Sequence, residues 1–141
     1  MGKTIAFIPA RGGSKSIPLK NIKSFYGQPL LLWNIKELLH VNEIDEIVVA
    51  TDSEQIAKIA RIDSKVSIYY RNELNAKDGS STESVMLEYI TAKNLSPDDT
   101  FVLVQATSPF TQQSDFEEGL SLFHGENIDS VLAVVPFKRL V

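Results

Sequence analysis

The chain has 141 residues, no cysteine, and 14 Lys and Arg against 18 Asp and Glu, a formal charge of −4 at pH 7. That length suits a single domain of roughly 100–150 residues, large enough to bury about two-thirds of its unfolded surface without a metal or disulfide staple. The composition excludes a disulfide scaffold, a thiolate zinc site and a cysteine nucleophile; the acidic balance argues against a nucleic-acid binder, and no apolar run approaches the ~18 residues of a membrane span.

Thr4–Pro9 (TIAFIP) is an almost unbroken apolar run, as expected of a strand buried on both faces. It reads as a strand and not as a signal peptide, and Ala6 stands where a myristoylation signal needs Ser or Thr, so the expected compartment is the cytoplasm. Ala10–Lys23, rich in Gly, Ser, Lys and Pro, is a long loop. Leu30–His40 has helical spacing with Pro29 near its start. Glu46–Ala50 is a second strand, Ser53–Arg61 a short helix and Val66–Tyr70 a third strand. Thr82–Lys93 is a helix with Val85, Met86, Tyr89 and Ile90 on one face. Thr100–Val104 is a fourth strand, Ser114–Phe123 a helix, and Ser130–Val135 (SVLAVV) a fifth strand. Buried strands alternating with helices define an α/β fold: a doubly wound, mostly parallel sheet with helices on both faces and ligands bound beyond the carboxyl ends of its strands. No repeat, low-complexity tract or linker divides the chain.

The charge is unevenly placed. No acid precedes Glu37, and Lys3, Arg11, Lys15, Lys20, Lys23 and Lys36 give that opening a charge of +6, against −10 for the remainder. A basic loop region in an acidic protein points to a local anion site, although clustered lysines on a solvated loop would look the same. The loop itself, Pro9-Ala10-Arg11-Gly12-Gly13-Ser14-Lys15-Ser16-Ile17-Pro18-Leu19-Lys20-Asn21, is more specific. Its glycines let the backbone turn tightly and offer N–H groups to an anion, Arg11 can grip phosphate as a fork, and Lys20 adds a point charge. It is neither a Walker A loop nor a dinucleotide fingerprint.

This string resembles the first loop of the acylneuraminate cytidylyltransferases, or CMP-sialic acid synthetases, P-A-R-G-G-S-K-G-I-P-x-K-N. Val49-Ala50-Thr51-Asp52, Arg71–Asp78 with Ser80-Ser81-Thr82, and Gln105-Ala106-Thr107-Ser108-Pro109 resemble later segments of that family in the same order. The resemblance implies a nucleotide-diphospho-sugar transferase-like, Rossmann-like fold. It implies attack by the anomeric hydroxyl of a nonulosonic (sialic-type) sugar acid on the α-phosphate of CTP, giving a CMP-sugar and pyrophosphate. By the same resemblance Arg11 and Lys20 are the catalytic cations. Ala10, Arg11, Gly12, Gly13, Ser14, Lys20, Asn21, Arg71, Ser80, Ser81 and Thr82 bind the nucleotide, and Gln105 binds the sugar.

The resemblance further implies Mg²⁺, held by paired aspartates that match no position here, and an extension that joins two subunits. On that basis the chain is expected to be a truncated member, able to fold and bind CTP but poor in turnover. The alternatives are a non-catalytic CTP-binding fragment, an enzyme for the eight-carbon acid Kdo, or a protein-interaction scaffold.

Departures from the family pattern are Ser16 for Gly, Asn72 and Ala106 for Pro, and Phe110-Thr111 for Leu-Arg. Several site residues also have structural readings. Asp52 with Gln55, and Ser80 with Glu83, have capping-box spacing. Arg71 could form a surface ion pair, Gln105 could hydrogen-bond at a strand end, and Asp78 could order its loop. His40 and His124 fall near helix ends, and Trp33 reads as core.

Overall fold

The computed structural model describes residues 2–13, 19–71, 81–125 and 128–133. Four parallel strands form the sheet: β1 (Thr4–Pro9), β4 (Glu46–Thr51), β5 (Val66–Tyr70) and β6 (Thr100–Leu103), in the order β5-β4-β1-β6. Between β1 and β4 come a 3₁₀ turn (Lys20–Ile22), a two-stranded antiparallel ribbon of β2 (Ser24–Phe25) and β3 (Gln28–Pro29), and helix α1 (Leu30–Leu39). Helix α2 (Glu54–Ala60) joins β4 to β5, α3 (Thr82–Ala92) precedes β6, and α4 (Gln113–Gly125) follows it.

The pleat of β1 explains the two layers. Ala6 and Ile8 face one side, where they pack with Leu31, Ile35 and Leu38 of α1, Ile56 and Ala60 of α2, and Leu120 of α4. Ile5 and Phe7 face the other side, against Val85 and Tyr89 of α3. Helices thus cover both faces, as a parallel sheet with no polar face requires. The second layer is aromatic: the Phe7 ring lies 5.1 Å from both Tyr89 and Phe101, and Tyr69 meets Tyr89 edge-on at 5.2 Å. Burial pushes the Tyr69 and Tyr89 hydroxyls up to about 12, and Tyr69 also donates to the Glu88 carboxylate. On the opposite layer α4 is tied to α1, because Glu37 accepts from the Gln113 backbone N–H at 2.8 Å.

The four expected strands up to β6, and the four helices, stand where sequence spacing predicts them, to within two residues at each end. Two expectations change. The ribbon within 24–29 was not foreseen; it turns on Tyr26 and Gly27, both at positive φ (48° and 88°), the pairing a tight type I′ hairpin needs. The fifth strand at Ser130–Val135 is not formed over its described part: residues 130–133 are irregular, and Leu132 is 83% exposed. Val134 and Val135 lie outside the described residues. An apolar run becomes a strand only where a neighbour takes its hydrogen bonds and a layer covers its side chains, and residues 130–133 have neither. Among the described residues no helix is long and apolar enough to cross a membrane.

Candidate active site

All four parallel strands end on the same side of the sheet. The chain moves outward from β1 through β4 to β5, then returns to place β6 on the other flank of β1, so the direction of winding reverses between β1 and β6. In open α/β sheets the crevice outside such a reversal is where ligands bind. A cavity of about 200 Å³ lies there. Pro9 and Arg11 reach it from the end of β1, Lys20 and Asn21 from the 3₁₀ turn, and Arg71 from the end of β5. Thr82 and Val85 come from the first turn of α3, and Gln105, Ala106 and Thr107 from the end of β6.

Three cations, two from the loop after β1 and one from the end of β5, therefore converge on one cavity, and among the described residues no carboxylate lines it. Arg71 is half-buried, and burial lowers its pKa; the Asp52 carboxylate opposes that shift, while Arg11 reinforces it and Glu88 opposes it again. The cation pair is thus close enough to repel, the condition an anion would relieve.

The first loop is held by hydrogen bonds around Arg11. The Ala10 N–H continues the β1–β4 ladder onto Ala50 O at 2.8 Å. Arg11 O accepts from the buried Asn21 side chain at 3.0 Å, and Gly12 O accepts from the Leu19 N–H at 3.1 Å. The Gly12 N–H donates to Asp52 Oδ1 at 2.8 Å. The amides of Ala10 and Gly12 are thus committed within the protein. Asn21, which lines the cavity, gives one side-chain N–H to the loop itself. Gly12 is a glycine for space: a Cβ there would lie 2.9 Å from Ser53 Cβ and 3.3 Å from Asp52 Oδ1. Gly13 is exposed with open space around it.

Helix capping is displaced by one residue from expectation. Ser53, in extended conformation, caps α2 by accepting from the Ile56 N–H at 3.3 Å, so Asp52 does not cap that helix. Ser81 caps α3, accepting from the Ser84 N–H at 3.0 Å, which places Thr82 at the first helical position beside the cavity. Ser14, Ser16, Asn72, Asp78 and Ser80 lie outside the described residues. Gln105 is exposed at the cavity, and its backbone carbonyl accepts from Asn34 Nδ2 at 3.2 Å. Asn34 is fully buried in α1, so it pins the segment after β6 from below. Sequence reasoning gave no site role to the cavity walls Pro9, Val85, Ala106 and Thr107, nor to the supports Asn34 and Asp52, the last of which shows only a helix-capping spacing. His40 is the C-cap of α1 and His124 lies in the last turn of α4, both away from the cavity. Trp33 is half-buried and anchors the ribbon by donating to Phe25 O at 2.8 Å. Phe110, 64% exposed, packs its ring against Phe25, Tyr26 and Trp33.

No group of three or more His, Cys, Asp or Glu able to hold a metal ion occurs among the described residues. The described residues therefore do not by themselves supply a Mg²⁺ site.

A crevice at a winding reversal, walled by arginine, lysine and amide groups, is the place and chemistry with which open α/β domains hold anionic ligands. The cytidylyltransferase family pattern matches residues 5–129, and the chain belongs to that family. It is 36% identical over 130 residues to N-acylneuraminate cytidylyltransferase A of Danio rerio, covering 92% of this chain and 30% of the relative. It is 32% identical over 139 residues to pseudaminic acid cytidylyltransferase of Campylobacter jejuni, covering 96% of this chain and 60% of the relative. The chain thus spans between about a third and three-fifths of these relatives' lengths. The structure of a CMP:2-keto-3-deoxy-manno-octonic acid synthetase complexed with CTP shares the fold, with a TM-score of 0.71 at 22% identity, covering 89% of this chain and 48% of that one.

Proposed function

We propose that this chain is the nucleotide-binding part of a cytidylyltransferase that activates a sialic acid or related nonulosonic acid with CTP. The observation that carries the reading is the convergence of Arg11, Lys20 and Arg71 on the cavity at the winding reversal. Arg11 and Lys20 bind the triphosphate. As the sugar hydroxyl loses its proton to water and its oxygen bonds to the α-phosphorus, the bond between that phosphorus and the bridging oxygen breaks. Negative charge then builds on the departing pyrophosphate, where the two cations stabilise it. Arg71 and the turn at Ser81 and Thr82 face the cytidine side. Gln105, whose amide both donates and accepts, faces the sugar acid, and the Asn34 bond keeps its backbone in place. Holding the two substrates in line supplies the rest of the acceleration.

The lack of a metal-holding group among the described residues favours, as a second reading, a module that binds CTP without turning it over. Calorimetry with CTP, followed by pyrophosphate release with CTP, Mg²⁺ and a panel of keto-sugar acids, separates the two. The expected result is saturable CTP binding with weak release that requires a nonulosonic acid. Binding with no release on any acid favours the second reading, release with Kdo alone overturns the substrate class, and absence of CTP binding overturns the proposal.

A further inference from the structure

Asp52 is out of place for a residue beside an anion site. Its carboxylate is exposed, close enough to Arg71 to act on it electrostatically, and bonded to Gly12, next to Arg11. As a bare charge it would repel a triphosphate. Its bond to the Gly12 amide nevertheless spans 40 residues of sequence and joins the end of β4 to the loop that follows β1. Before Arg11 the Ala10 N–H ends the strand ladder on Ala50 O; after it, the bonds from Asn21 and Leu19 come from the same loop as it returns, so they can move with it. The Asp52 bond ties that loop to the end of a central strand. The close approach of Gly12 to Ser53 shows how tightly the loop is drawn there.

We propose that Asp52 is a positioning residue: by holding the Gly12 amide it fixes the turn that aims Arg11 into the cavity. The inference rests on the phosphate-binding reading of that cavity. Positioning and charge then act in opposite directions, which makes them separable. Asp52→Asn keeps an oxygen to accept from Gly12 and removes the negative charge; Asp52→Ala removes both.

The test compares the 141-residue protein with both variants, using CTP calorimetry and amide hydrogen exchange at Gly12 by NMR, with thermal unfolding as a check that each variant folds. Asp52→Ala is expected to weaken CTP binding roughly tenfold and to accelerate Gly12 exchange, because a charge-assisted bond is lost. Asp52→Asn is expected to retain slow exchange and to bind CTP at least as tightly as the parent. Equal tightening of CTP by both variants would show Asp52 to be only an opposing charge and overturn the proposal. So would Gly12 exchange in Asp52→Ala as slow as in the parent. The exchange arm needs no nucleotide: if the parent does not bind CTP, the phosphate reading fails, and Gly12 exchange still decides whether Asp52 holds the loop. Should Asp52→Ala not fold, loss of slow exchange in a folded Asp52→Asn overturns the proposal, and its retention with undiminished CTP affinity supports it.

Discussion

Replacing Arg11 and Lys20 together by alanine is expected to weaken CTP binding at least about a hundredfold, measured by calorimetry. A hydrogen bond to a charged group contributes about 1.5–3 kcal/mol, and two such groups on one triphosphate therefore remove roughly 3–6 kcal/mol, where each 1.4 kcal/mol is a factor of ten. Both side chains line the cavity, and their removal leaves Arg71 as the remaining cation among its described lining residues. Lys23 is the matched control. It belongs to the same basic opening but is exposed and does not line the cavity, so Lys23→Ala should change affinity by no more than about twofold, as salt screens a solvated charge. Equal losses from Lys23 and from the cavity pair would mean that CTP senses a diffuse positive surface and not a site.

Phe7→Ala is expected to destabilise the protein by about 3–5 kcal/mol, the usual range for removing a buried phenylalanine. Phe7 is fully buried in the central strand and fills the space between Tyr89 and Phe101, with both rings at 5.1 Å. The layer it anchors is small: its buried members are Ile5, Phe7, Val48, Ala50, Val85 and Tyr89, and α3 is the helix that covers them. Few neighbours can collapse into the gap. Native domains hold only about 5–15 kcal/mol in total, so this one change takes a large share. Urea unfolding should show a lower midpoint with an unchanged slope. Phe110→Ala, on a ring 64% exposed, should cost less than about 1 kcal/mol. A Phe7 variant no less stable than the Phe110 variant would contradict the two-layer packing.

TIAFIP was legible because burial on both faces leaves a clear mark, and VSIYY, only partly buried at the end of the sheet order, because β-branched and aromatic residues favour strands; both form over the expected residues. The ribbon at 24–29 was not, since two-residue strands cannot display a period, and Tyr26 is an uncommon occupant of a positive-φ turn position. The Ser130–Val135 segment shows the opposite error, in which composition alone stands in for a strand although residues 130–133 have no pairing partner. Arg11 and Lys20 were legible from the loop string, Arg71 and Gln105 only through the resemblance in motif order, and all four line the cavity. What local spacing could not reveal was the supporting shell. Asp52 carries a capping signal toward Gln55, yet it bonds Gly12 across the sheet, while Ser53 caps the helix. Asn34 sits among leucines on α1 and reaches Gln105, 71 residues on. Such contacts depend on strand order, which no short window of sequence contains.

The most direct measurement is a crystal structure of the protein with CTP bound. The account predicts the triphosphate within hydrogen-bond distance of the Arg11 and Lys20 side chains, with the cytidine directed toward Arg71 and the start of α3. A triphosphate seated elsewhere, with Arg11 and Lys20 left in solvent, would contradict it.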